Sequence, residues 1–72
     1  MDINLLLAKN VKNYREKLGI SQEALAELSG LHRTYISGIE RGVRNPTLAV
    51  LAVLAKALNI SVSTLLSKKS DK

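Results

Sequence analysis

The sequence predicts an all-α domain of five short helices. Three observations carry that reading. Apolar residues recur at spacings of three and four along most of the chain, and no segment alternates at the period of two that marks a strand. Turn signals at Gly19, Gly30, Gly42 and Asn45-Pro46 cut this pattern at short intervals. The 72 residues are 46% hydrophobic but only 3% aromatic, which suits one aliphatic core and is too little chain for two. The expectation is a single domain over residues 1–72.

The first helix is expected over Leu5–Leu18. Leu7, Val11, Tyr14 and Leu18 form one stripe. Asn4 or Asp2 caps its start, and Gly19 suits the left-handed residue that ends a helix. The second helix follows Ser21, a hydroxyl cap. Glu23 in its first turn faces the positive end of the helix dipole. Ala24 stands where a capping box needs an acid or an amide, so the box is absent. Leu25, Ala26 and Leu28 follow, and Gly30 closes the helix. The third is expected over Arg33–Arg41. Ile36 and Ile39 point inward, Leu31 packs at the entry, His32 occupies the cap position and Gly42 ends it. Its outer face carries Arg33, Thr34, Ser37, Gly38 and Arg41. Gly38 costs that helix about 1 kcal/mol relative to Ala, and is expected to leave a gap that admits a ligand. The fourth helix opens at Asn45-Pro46-Thr47, with Asn45 as cap and Pro46 as first helical residue. Leu48, Leu51, Leu54, Ala55 and Leu58 make its inward stripe. The fifth, capped by Ser61, carries Val62, Leu65 and Leu66. Residues 67–72 read as a polar, frayed tail.

Charge and composition narrow the function. Eleven Lys and Arg against six Asp and Glu give a net charge of +5 and a pI near 9.9. That surplus favours an anionic partner: nucleic acid, an acidic protein or a membrane face. There is no cysteine and one histidine, His32, so disulfide frameworks and zinc sites built on Cys or several His are excluded. No metal or cofactor is expected. Outside the termini the acids are Glu16, Glu23, Glu27 and Glu40, with no phosphate-cradling glycine loop. That inventory argues against catalysis. Two tyrosines are too few for a platform that stacks single strands. The longest apolar run, Leu48–Ala55, is eight residues, far short of the about 20 that span a bilayer. A cytoplasmic protein is expected. A core this small, without disulfide or metal, is commonly supported by oligomerisation.

Helices two and three carry the function. Leu25-Ala26, Gly30-Leu31, Ile36 and Ile39 have the spacing of two helices crossing at a tight turn. Ala26 permits the close approach, and the second helix keeps one face free for a major groove. The stretches "GISQEALAELSGLHRTYISGIERG" and "NPTLAVLAVLAKALNISVSTLL" resemble the Cro/repressor-type (XRE-like) helix-turn-helix family over Asn4–Ser67. The resemblance implies a five-helix lambda-repressor-like fold, with the helix-turn-helix at about 22–41. Within that family "LHRTYISGIERGVRNP" is most similar to controller proteins of restriction–modification systems. Those are small homodimeric regulators that bind inverted repeats beside their own gene and the endonuclease gene. The implied partner is double-stranded DNA, with no small-molecule ligand.

The same resemblance implies residue roles. Gln22 corresponds to a residue that grips a phosphate at a helix N-terminus. Arg33, Thr34 and Ser37 correspond to positions facing base edges, and Tyr35 to one touching backbone or base. Arg41, Arg44 and Asn45 flank the loop that follows the DNA backbone. Arg15 and Glu40 correspond to a buried ion pair between the first and third helices. His32 departs from the usual Ser, Thr or Asp cap, and Leu28 stands where a polar residue is usual. Val50, Val53 and Ala57 lie on a face that is often charged. Together with Val62, Leu65 and Leu66 they exceed what so small an interior holds, so they are expected to form a homodimer interface. Lys68, Lys69 and Lys72 are expected to be solvated and to add weak DNA affinity. Two other readings use the same residues: a phage-type repressor, and an antitoxin-like module that holds a protein on Leu48–Leu66. The basic residues Arg33, Arg41 and Arg44 favour DNA over a purely protein partner.

Overall fold

The computed structural model describes residues 2–68. These form five helices: α1 (Ile3–Lys17), α2 (Gln22–Ser29), α3 (Arg33–Glu40), α4 (Leu48–Ala57) and α5 (Val62–Leu65). No strand occurs among the described residues. Helix α1 packs on α3 and α5, α2 on α3 and α4, and α4 on α5. The fold is all-α, and every helix contributes to one cluster of side chains. Leu7 and Val11 come from α1, Leu25 and Ala26 from α2, Ile36 and Ile39 from α3, Leu54 and Ala55 from α4, and Leu65 from α5. Burying each large aliphatic side chain contributes about 1.5–3 kcal/mol. Ile36 and Leu25 have no exposed surface, so the angle between α2 and α3 is filled by well-packed groups.

The helix starts are set by side-chain caps. The Asp2 carboxylate accepts from the Asn4 N–H, Ser21 Oγ from Ala24 and Ser61 Oγ from Thr64. Helix α4 departs from expectation. It starts at Leu48 and not at Pro46, because Thr47 keeps extended torsions (φ −73°, ψ 166°) and its hydroxyl accepts from Val50 N–H. Asn45 is not the cap. Leu48, expected to point inward, is 73% exposed, since the first residue of the helix stands off the end of the core. Leu18 likewise leaves the expected stripe: the helix ends at Lys17, and Leu18 is 48% exposed.

Asn10 was not foreseen in the core, yet it is 1% exposed. Its Nδ2 donates to the carbonyl oxygens of Leu65 (2.7 Å) and Ser67 (2.9 Å). That clamp ties the end of α5 to α1. Ser67, at the start of the expected tail, is therefore held and half-buried, and Lys68 is exposed; residues 69–72, with Lys69 and Lys72, lie outside the described residues. No described helix is long and apolar enough to cross a membrane.

Candidate nucleic-acid interface

The site is built on the α2–α3 pair. Gly30 takes the left-handed conformation (φ 75°) and its N–H donates to Ala26 O at 2.8 Å. That closes α2 and turns the chain into α3 within three residues. His32 then caps α3: its Nδ1 accepts from Thr34 N–H at 3.2 Å and lies 2.8 Å from Thr34 Oγ1. With Ile36 and Ile39 held in the core, the opposite side of α3 faces solvent. Arg33, Thr34 and Arg41 are exposed and Ser37 is half-buried. Arg41 Nη1 donates to Ser37 Oγ at 3.2 Å. Asn45 is exposed in the loop after α3.

Gly38 does not leave the expected gap. It is buried, because the side chain of Arg44 lies across it. A Cβ at residue 38 would stand 2.7 Å from Arg44 Cγ and 3.1 Å from its Nε. The guanidinium of Arg44 continues over the ring of Tyr35, 5.1 Å from its centroid. A cation over an aromatic face is worth about 0.5–1 kcal/mol at an exposed site. Tyr35 is half-buried and packs against the core cluster, so it offers Arg44 a fixed surface.

Beneath this face lies a charged network. Arg15 Nε donates to Glu40 Oε2 at 2.6 Å and Nη2 to Oε1 at 3.0 Å, a bidentate pair. Arg15 Nη1 donates to Ile20 O at 2.9 Å. The two side chains are 12% and 4% exposed. Hydrogen bonding to Glu40 raises the Arg15 pKa above its ordinary value; burial opposes this, and the charges of Glu40 and Glu16 add to it. Gln22 Nε2 donates to Glu40 Oε1 at 3.0 Å. The first side chain of α2 is thereby tied to the end of α3 and to α1. Gln22 is thus held at the end of α3 through Glu40, and Arg44 is held on α3 through Gly38 and Tyr35.

The apolar residues of α4 and α5 divide. Val53 is 38% exposed, and Val50, Ala57, Val62 and Leu66 are half-buried. Leu65 is fully buried within the chain. It belongs to the core and has no surface to present to a second copy, because α5 turns that side toward α1 and α4. Among the described residues no group of three or more His, Asp or Glu is placed to hold a metal.

Three features escaped sequence reasoning: the Asn10 clamp, the seat of Arg44 on Gly38 and Tyr35, and the Gln22–Glu40 bond. For Asn10 a signal exists, since a polar residue three after Leu7 falls on the buried stripe. The other two join residues whose contact depends on loop path and rotamer.

Known proteins match this chain throughout. It is 57% identical over 72 residues to control protein C.SmaI of Serratia marcescens, covering all of this chain and 86% of that protein. The restriction–modification controller protein C.AhdI of Aeromonas hydrophila superposes with a TM-score of 0.84 and 41% identity, covering 89% of this chain and 96% of that one. The controller C.Esp1396I, in a tetramer bound to its natural 35 base-pair operator, superposes with a TM-score of 0.86 and 37% identity, covering 100% and 99%. The pattern of the HTH_3 (Helix-turn-helix) family matches residues 11–65. This chain belongs to that helix-turn-helix family.

Proposed function

We propose that this chain is a sequence-specific regulator of transcription that binds double-stranded DNA. It acts as a controller of a restriction–modification system, on an inverted-repeat operator and as a homodimer. The observation that carries this reading is the exposed, basic outer side of α3, whose other side is locked into the core: Arg33 opens the helix, Arg41 caps its end, and Arg44 reaches back across it from the loop that follows. A helix of this kind enters the major groove with its N-terminal residues toward the base edges. The controller role rests on the full-length similarity to C.SmaI and on the operator complex of C.Esp1396I. An enzymatic role has no support in a family of regulators, and the work of such a regulator places it in the cytoplasm.

Roles follow from position. Arg33 opens α3 and carries a planar fork that fits guanine O6 and N7 together. Thr34 and Ser37 are short and add one contact each. Gln22, at the start of α2, and Arg41, Arg44 and Asn45, around the loop after α3, face the phosphates. Val50, Val53, Ala57, Val62 and Leu66 meet their copies across the two-fold axis. That arrangement sets two α3 helices about 34 Å apart, one turn of DNA. Selection of bound duplexes from random DNA by the purified protein tests the proposal. It should return an inverted repeat with half-sites about one turn apart; enrichment of no sequence would contradict it.

A further inference from the structure

We infer that Gly38 is a positioning residue: its missing side chain is the slot that lays Arg44 across α3 and onto Tyr35, fixing that arginine for a DNA phosphate. The inference rests on the DNA-binding reading above and extends it to a residue that touches no DNA itself. Two independent contacts define the seat. The aliphatic stem of Arg44 occupies the space where a Cβ would be, with Cγ, Nε and Cδ at 2.7, 3.1 and 3.5 Å from that point. The guanidinium then rests over the Tyr35 ring at 5.1 Å. A methyl at residue 38 meets the stem near its base, so the whole side chain must swing aside.

The physical consequence is preorganisation. A free arginine on a loop loses rotamer freedom when it grips a phosphate. One already laid in a slot and stacked on a ring loses less. The guanidinium keeps its edge for a ligand, because stacking uses only its face. The glycine is helical and has no left-handed torsion to protect, so alanine is compatible with the backbone and favours the helix. Gly38→Ala therefore separates the seat from the fold.

The experiment is a double-mutant cycle on the full chain, with Gly38→Ala, Arg44→Ala and the pair. Each is titrated at several salt concentrations on the selected duplex and on a scrambled one. Gly38→Ala should keep or raise the melting temperature and weaken both duplexes by up to about tenfold, the scale of ordering one rotamer-rich side chain. The slope of log affinity against log salt should fall by about one phosphate contact for Arg44→Ala and stay near the wild-type slope for Gly38→Ala. In the Arg44→Ala background the same substitution should change affinity little. Wild-type affinity for Gly38→Ala would overturn the inference. So would a loss that persists without Arg44, which would mean that the methyl strikes the DNA directly. In the free protein, the Arg44 side-chain protons should show ring-current shifts from Tyr35 that Gly38→Ala abolishes; unchanged shifts would also overturn it. That readout needs no DNA, so a wild-type chain that binds no duplex would sink the DNA-binding reading while the spectra still decide the seat.

Discussion

Glu40 accepts hydrogen bonds from both Arg15 and Gln22 while its own side chain is only 4% exposed. Removing it leaves a largely buried guanidinium without its counter-charge. Breaking a buried pair in this way costs about 3–5 kcal/mol; with Arg15 at 12% exposure, the lower end applies. Glu40→Ala should therefore lower stability by about 3 kcal/mol, and Glu27→Ala, at an exposed residue, should have little effect. Urea titrations of the two variants check this, and equal midpoints would contradict it. Because the arginine pKa is raised, its contribution is present at all pH below the ordinary arginine value and is lost only as pH rises past the folded one. The arginine thus makes no pH dependence in the neutral range. The pair was legible only through resemblance, since 25 residues separate its members and periodicity says nothing about contacts across a fold. Asn10 is legible in the sequence only in part. Its place on an apolar stripe indicated burial, but not that its partners would be backbone carbonyls of α5.

At the level of elements, the caps and stops were the readable part. Ser21, Ser61, His32 and Gly30 all act where the sequence placed them. The start of α4 was misplaced because proline at a first helical position is a common signal, whereas here the Thr47 hydroxyl is the group that satisfies an N–H of the first turn. Thr47→Ala should accordingly cost about 1 kcal/mol and Asn45→Ala almost nothing in stability, as thermal melts of the two would show. Gly30 gives a cleaner test. Its φ is 75° and a Cβ there would meet no atom within 4 Å, so any cost of Gly30→Ala is backbone strain alone. That strain should be about 1–2 kcal/mol. A neutral Gly30→Ala would mean that the turn between α2 and α3 relaxes without penalty.

The whole molecule leaves apolar surface on α4 that the core does not use. Val53 is 38% exposed and lines a shallow hollow with Leu28, Lys56 and Ala57. The sequence indicated too many apolar residues for the interior, and Leu65 shows the limit of that reasoning. In a helix of four residues, periodicity cannot say which side faces in. Val53→Lys should leave the monomer folded, because the side chain already reaches water, and should shift a homodimer toward monomer. Sedimentation at tens of micromolar would detect this; a monomeric wild-type chain, or a dimer indifferent to Val53→Lys, would contradict the interface. The central claim is that α3 reads bases while its surroundings grip phosphates. The most direct test compares Arg33→Ala with wild type on the selected and scrambled duplexes at fixed salt. The account predicts a loss of about 1–3 kcal/mol on the selected duplex and almost none on the scrambled one. An equal loss on both would make Arg33 a phosphate clamp and contradict the claim that it reads sequence.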